Sequence, residues 1–330
     1  MRKLIAILLA AMMLLSLAAC APAQPAGDQA SEGTQASDDK FVVGICQLVP
    51  HEALDQATKG FVDALKEELG EENVEIIEKV GAGDMATCTP IVTDFVSKEV
   101  DLIMANATPA LQAAAAATEE IPILGTSVTE YGVALEIENF SGTVGTNVSG
   151  TSDLAPLDQQ AAMIKEWVPN AQKVGLLYCS AEANSKYQVD EVKKYLEDMG
   201  LTATLYAFSD SNDLQMVTQT AADESDAIYI PTDNTAAAAT GTIYDVCSAA
   251  GKPVIAGEQG ICSGCGVATL SISYYDLGVT TGKMAAKILK GEADVAEMPI
   301  EYAPATKKYN KAIAEELELP VPDGYVAIEE

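Results

Sequence analysis

From residue 41 onward, short apolar runs alternate along the chain with stretches in which apolar residues recur every three to four positions. The first run, FVVGICQLV, is nearly unbroken, as in strands covered on both faces of a sheet. The stretch that follows sets Leu54, Ala57, Phe61, Ala64, Leu65 and Leu69 on one helical stripe. The same pattern predicts strands at 41–49, 73–79, 100–105, 121–124 and 142–148, then at 173–178, 202–208, 227–230, 253–256 and 267–272, with helices between them. Strands and helices in alternation imply parallel sheets joined by right-handed crossovers.

The second half repeats the first. Gly44 and Gly175 lie 131 residues apart (175 − 44), and so do Pro122 in IPILGTS and Pro253 in KPVIAGE. VDLIMANATPALQAA aligns with SDAIYIPTDNTAAAA at a shorter offset of 125 (226 − 101), so the second copy is about six residues more compact before that point. A unit this long exceeds the roughly 20–50 residues of solenoid repeats. The fold class expected is α/β, as two doubly wound parallel-sheet lobes facing a shared cleft. The first lobe comprises 41–153 and 273–300, and the second 154–272 and 301–330. A late helix over 275–290 follows the completed second repeat and is expected to cross back to the first lobe, with hinges near 149–155 and 271–274.

Ahead of the lobes, Arg2 and Lys3 precede an apolar run over 4–17, close to a signal-peptide core and short for a membrane span. Leu17-Ala18-Ala19-Cys20 resembles a lipobox, whose cysteine takes a lipid before cleavage. Residues 1–19 are therefore expected to be a lipoprotein signal peptide. Cys20 would be the lipidation site, and 20–40, small and polar, a flexible tether to the outer face of the cytoplasmic membrane. The formal net charge of −30 repels phosphate backbones and argues against nucleic-acid binding.

Six cysteines remain beyond the tether: Cys46, Cys88, Cys179, Cys247, Cys262 and Cys265. Cys262-Ser-Gly-Cys265 allows a small disulfide or two free thiols; a zinc site would need two further ligands, and no second CxxC or His pair exists. No metal and no cofactor is expected. The single histidine, His51, stands beside no nucleophile motif, GxSxG is absent, and Gly81-Ala82-Gly83-Asp84 lacks the full dinucleotide fingerprint and the P-loop lysine. The chain reads as a binder, not an enzyme.

Open α/β sheets bind ligands beyond the carboxyl ends of their strands. The residues there are Gln47, His51, Asp84, Thr108, Thr126, Ser127 and Thr129 in the first half, and Glu182, Asn184, Ser185, Asp233, Asn234 and Glu258 in the second. In the repeat, Thr108 falls opposite Asp233, and Ser127 opposite Glu258: hydroxyls on one lobe face carboxylates on the other. Hydroxyls and helix N-terminal amides suit a carboxylate, and acidic oxygens suit an ammonium. The expectation is therefore a small zwitterion, with Thr108, Thr126 and Ser127 at its carboxylate, Asp233 and Glu258 at its ammonium, and Gln47, Asn184 and Asn234 fixing its orientation. His51 is a further contact candidate, and Tyr131, Tyr178, Tyr274 and Tyr275 could wall an aromatic side chain. The competing use of Thr108, Ser127, Asp233 and Asn234 is plain helix capping.

At GICQLVPHEALDQATKGF, GDMATCTPIVTDFVSKEVDLIMANATPALQAA, LLYCSAEANSKYQVDEVKK, DAIYIPTDNT and YYDLGVTTGKMAAKILKGE, the chain resembles the substrate-binding lipoproteins of ABC transporters, in the family linked to uptake of tryptophan and other aromatic amino acids. The resemblance covers about residues 41–322. It implies a periplasmic binding protein-like type I fold with three crossovers, closing by hinge motion on an amino acid, and a permease and its ATPase as partners of a monomer. Two places depart from the family pattern: Thr129-Glu130-Tyr131-Gly132 stands where members commonly carry Asp-Pro, and the Cys262–Cys265 loop is inserted after AGEQG. A branched-chain amino acid or a nucleoside remains an alternative ligand, and a sensory receptor an alternative role.

Overall fold

The apolar run after Lys40 becomes a central strand because its side chains find cover on both faces. The structure, a computed structural model, describes residues 40–329; the leader, Cys20 and the spacer lie outside the described residues. Strand β1 (Phe41–Gln47) pairs in parallel with β2 (Val74–Val80) on one side and β3 (Leu102–Asn106) on the other. Along β3, Leu102 and Met104 enter one apolar cluster while Ile103 and Ala105 enter another, as the two-residue period of a strand requires. The sheet continues through β4 (Ile123–Val128), β5 (Val148–Ser152) and β11 (Glu301–Tyr302), all parallel, in the order β2-β1-β3-β4-β5-β11. Its helices are α1 (Glu52–Leu69), α2 (Met85–Ser97), α3 (Thr108–Ala117) and the single turn α4 (Tyr131–Ala134).

The second sheet runs β7 (Thr202–Phe208), β6 (Lys173–Cys179), β8 (Ala227–Ile230), β9 (Val254–Ala256), β10 (Ala268–Ser271), β12 (Thr306–Tyr309) and β13 (Val326–Ala327). Only the β10–β12 pair is antiparallel. Helices α5 (Leu157–Trp167), α6 (Ala183–Asp198), α7 (Leu214–Glu224), α8 (Asn234–Ala237), α9 (Thr240–Ala249), α10 (Gln259–Cys265) and α12 (Lys311–Glu316) surround it. The sequence repeat is thus a repeat of topology, since the first five strands of each sheet share the order 2-1-3-4-5. Gly44 and Gly175 occupy the same place in the two copies: a Cβ on Gly44 would come within 2.6 Å of the Phe95 ring, and one on Gly175 within 2.7 Å of Ser225 Oγ. A side chain packed over the central strand, Phe95 of α2 in the first copy and Ser225 just after α7 in the second, explains both glycines.

The chain crosses between the sheets after β5, between β10 and α11 (Tyr274–Leu289), and between β11 and β12. Glu301 and Tyr302 pair with Thr151 and Ser152 of β5, so they belong with the first lobe, and the third crossing falls after 302, later than the expected boundary at 300. Strand β5 also lies later than expected, at 148–152 and not 142–148. Gly142 and Gly145 have φ of 99° and 78°, a left-handed backbone that keeps GTVGT out of a strand. Helix α11 packs along α1 and against β4 and β5, so it returns to the first lobe. The six described cysteines are buried free thiols; those of Cys262 and Cys265 donate to the carbonyls of Gly266 and Ile261. Among the described residues no helix is long and apolar enough to cross a membrane.

Candidate functional site

The carboxyl ends of both sheets face one another across a narrow cavity. From the first lobe come His51 and Leu54 around the start of α1, Ser127 and Thr129 around the end of β4, and Asp153 just past β5; Tyr274 opens α11. The second lobe supplies Asn184 in α6, Thr232, Asp233 and Asn234 after β8, Ala237 in α8, and Glu258 after β9. Lysine and arginine are absent from this lining, and His51 is its only basic side chain.

Bonds within the lining divide it into two ends. At one end Tyr274 donates its hydroxyl to Asp153 Oδ2 at 2.8 Å, the Asp153 amide donates to the Val128 carbonyl, and Ser152 Oγ donates to the Thr129 carbonyl, which ties Ser127 and Thr129 to the same corner. Ser127 has φ of 54°, at a register shift between Gly125 and Val128 that interrupts the β4 ladder. Left-handed strain on a buried serine next to a ligand cleft is the kind of local cost that functional sites retain. At the other end, His51 Nε2 bonds Asn234 Oδ1 across the cleft at 3.2 Å, with Leu54 one turn after His51 and Ala237 one turn after Asn234.

The second-lobe carboxylates are heavily committed. Asp233 accepts from the Cys179 amide at 2.6 Å and from the Ala236 amide at 2.8 Å, so it caps α8 and pins the end of β6. Glu258 caps α10 by accepting from the amides of Gly260 and Ile261. Glu182 receives the amides and side chains of both Asn234 and Thr235. The capping alternative therefore describes Asp233 and Glu258 well, although both still line the cavity.

Four lining residues hold a buried polar atom with no partner in the protein: His51 Nδ1, Ser127 Oγ, Asp153 Oδ1 and Asn184 Oδ1. Such atoms are rare because each costs on the order of 1–3 kcal/mol. Asn184 Oδ1 and the Asp153 carboxylate oxygen accept, and His51 Nδ1 accepts when the proton of the neutral ring sits on Nε2; burial pushes the His51 pKa down. The cavity thus presents acceptors for a ligand rich in N–H or O–H donors. Burial raises the pKa of Asp153 and, together with nearby Glu182, that of Asp233.

Of the residues expected from sequence, His51, Ser127, Asn184, Asp233, Asn234, Glu258 and Tyr274 meet at the cavity. Gln47, Thr108 and Thr126 do not. Gln47 turns toward α1, donating to Asp55 and accepting from Thr58 Oγ1. Thr126 points into the sheet–helix layer, where its hydroxyl meets Thr151, which in turn bonds Thr281 of α11. Thr108 is buried in the first turn of α3. Of the four candidate tyrosines only Tyr274 lines the cavity; the Tyr131 hydroxyl is spent on the Thr151 carbonyl. Asp153, Leu54, Thr232 and Ala237 were not anticipated. Asp153 escaped because β5 was expected to end at 148, four residues before its observed end at Ser152, so the residue just beyond that end was not considered.

A model of the family described as ABC transporter substrate binding protein matches residues 42–327. The chain belongs to this family. Proteins of this kind bind a solute outside the cytoplasmic membrane for an ABC transporter, and they are not enzymes. A tyrosine-binding protein of Clostridioides difficile is 34% identical to this binding protein over 307 residues, 91% of this chain and 87% of its own. Two solved structures each cover 88% of this chain and 100% of their own. One is an ABC domain from Streptococcus pneumoniae in complex with L-Trp, at 33% identity and TM-score 0.83. The other is a ligand-free, open substrate binding protein with adhesive properties from Clostridium difficile, at 35% identity and TM-score 0.66. At nearly equal identity, the binding protein superposes better on the ligand-bound relative than on the open one, in keeping with lobes drawn together around the cavity.

Closure has a pH signature at Glu258. Burial pushes its pKa from 4.5 up to about 7, against the two amides that favour the carboxylate. A carboxyl with a raised folded pKa destabilises the fold increasingly as pH climbs from the unfolded value to the folded one. Stability of the ligand-free protein should therefore fall between pH 4.5 and 7, by on the order of 3 kcal/mol from this residue. Thermal melts across that window should show the decline flattened in Glu258→Gln; an equal slope in both proteins would remove Glu258 as its source.

Proposed function

We propose that the protein captures an aromatic amino acid outside the cell and delivers it to the permease and ATPase of an ABC importer. The observation that carries this reading is the set of unpaired acceptors, Asp153 Oδ1, Asn184 Oδ1 and His51 Nδ1, beside one free hydroxyl, Ser127 Oγ, in a cavity closed by both lobes. An α-ammonium is a compact source of N–H donors for Asp153, the acidic group with an oxygen to spare. Asn184 Oδ1 is a second open acceptor, because Asn184 Nδ2 is already donated to the Thr232 carbonyl and to Glu182 Oε2, the oxygen that also holds Asn234. The ligand carboxylate would meet the Ser127 hydroxyl, with Thr129 beside it. Asp233, Glu258 and Glu182 then act at one remove, holding the second-lobe loops by capping helices. The named ligands of the relatives, tyrosine and L-Trp, are zwitterions with aromatic side chains, which supports the choice.

In the same reading the protein is a monomer, secreted by the 1–19 leader and held by a lipid on Cys20, with 20–40 as its leash. A lipid anchor suits a binding protein that must stay near its permease.

Calorimetric titration with L-tyrosine, tyramine and 3-(4-hydroxyphenyl)propionate tests the zwitterion. Tyramine lacks the carboxylate and the propionate lacks the ammonium. Each should bind at least about 30-fold more weakly than tyrosine, since a buried charged partner is left unpaired. Tyramine binding as well as tyrosine would remove the carboxylate site, and equal binding of the propionate would remove Asp153.

A further inference from the structure

The hydrogen bonds around Asn234 fix which nitrogen of His51 carries the proton. Asn234 donates its Nδ2 to Glu182 Oε2 at 2.6 Å, and its backbone amide donates to the same oxygen at 3.0 Å. Since Glu182 can only accept, the amide orientation is set, and Asn234 Oδ1 must be the acceptor toward His51 Nε2. His51 therefore carries its proton on Nε2, and Nδ1 is a bare lone pair. That atom is buried and has no partner in the protein.

Its location matters as much as its tautomer. His51 and Asn234, bonded across the cleft, each stand about one helical turn before Leu54 and Ala237, the two apolar lining residues, whereas Asp153, Tyr274, Ser127 and Thr129 form a separate hydrogen-bonded corner. A zwitterionic head at Asp153 and Ser127 directs the ligand side chain toward Leu54, Ala237 and His51. An apolar wall with one acceptor fits an aromatic ring that carries one hydrogen-bond donor.

We propose that His51 Nδ1 accepts the ring donor of the ligand, the phenol O–H of tyrosine or the indole N–H of tryptophan, so that the protein selects these over phenylalanine. Glu182 and Asn234 are positioning residues that keep His51 in the accepting tautomer. The assignment rests on the amino-acid reading above and adds the chemical feature that separates one aromatic ligand from another. With phenylalanine bound, the lone pair would stay buried and unsatisfied, which is how a polar site rejects an analogue lacking the matching group.

The test is a titration of the full chain with L-tyrosine, L-tryptophan, L-phenylalanine and O-methyl-L-tyrosine, repeated on His51→Leu. The wild type should bind tyrosine about 10- to 100-fold more tightly than phenylalanine or the methyl ether. In His51→Leu the tyrosine-to-phenylalanine ratio should fall to within about threefold. The ratio isolates recognition from closure, because losing the contact with Asn234 weakens both ligands alike. Equal wild-type affinity for tyrosine and phenylalanine overturns the assignment while leaving the amino-acid reading in place, and so does a ratio unchanged in His51→Leu. If none of the aromatic amino acids binds, the amino-acid reading fails, and the role of His51 fails with it.

Discussion

Replacing Asp153 with alanine should weaken amino-acid binding by about 2–5 kcal/mol, raising Kd by roughly 30-fold at the least, while the ligand-free protein melts no lower than the wild type. The two halves of this expectation have one cause. Asp153 is almost fully buried, burial raises its pKa, and one of its oxygens has no partner in the protein. Before ligand arrives the carboxyl is a burden on the closed fold, and the desolvation relieved by removing it offsets the cost of freeing the buried Tyr274 hydroxyl. Once an ammonium is present, the same oxygen is its counter-charge in a cavity without lysine or arginine, and truncation leaves the ammonium buried and unpaired. Functional sites commonly trade stability for activity in this way. Asp233→Ala should behave in the opposite manner: it uncaps α8 and orphans the Cys179 amide, so its main effect should be a lower melting temperature. If Asp153→Ala binds tyrosine like the wild type, the ammonium lies elsewhere.

Gly278→Ala should be among the most damaging single-methyl additions in the protein. A Cβ at this position would lie 2.0 Å from the Ala57 carbonyl oxygen and 2.9 Å from the Phe61 amide nitrogen, both backbone atoms of α1. Rotamer changes cannot relieve a clash with backbone, so the helices must separate. Gly60, whose Cβ would meet the Tyr275 carbonyl at 2.1 Å, and Gly282, facing Phe61 and Ala64, make the same close approach along the seam. Overpacking costs typically reach about 1–3 kcal/mol, and the rigid backbone neighbour puts this case at the upper end. The expected loss is about 3 kcal/mol, or on the order of 8 °C in Tm. Affinity should drop as well, because α11 starts at Tyr274, the partner of Asp153. Gly241→Ala is the matched control: nothing lies within 4 Å of its Cβ position, and it sits in α9 where alanine favours helix. It should be neutral or stabilising. A Gly278→Ala protein as stable as the wild type would contradict the close backbone approach along the α1–α11 seam.

The sequence made the architecture legible because a duplicated fold advertises itself twice. Gly44 and Gly175, and Pro122 and Pro253, are constrained by similar features in each copy: a side chain packed over the central strand, and entry into the fourth strand. The third crossing and strand β5 were harder to read. Pairing of Glu301 and Tyr302 with β5 depends on long-range contact between short, exposed residues that carry no local pattern. Glycines at 142 and 145 looked compatible with a strand, yet both adopt positive φ. That local misreading propagated to the site, since a residue is recognised as a strand-end residue only when the end is in the right place, and Asp153 was passed over. Side-chain direction was the other limit. Gln47 and Thr126 do stand at strand ends, but the two-residue alternation turns them toward α1 and α11, away from the cavity. The split between Asp233 or Glu258 as caps and Asp153 as the carboxylate with a free oxygen required hydrogen-bond partners, which sequence does not provide.

The central claim, that the cavity holds an aromatic amino acid, is tested most directly by unfolding the protein to strip any resident ligand, refolding it, and measuring thermal shifts with the twenty amino acids, several nucleosides and several sugars. A ligand at 100 times its Kd stabilises the fold by about 2.7 kcal/mol, a shift large enough to read without ambiguity. The account predicts stabilisation by tyrosine and tryptophan, less by phenylalanine, and none by sugars or nucleosides. Stabilisation by a sugar or nucleoside, with no amino acid effective, would contradict it.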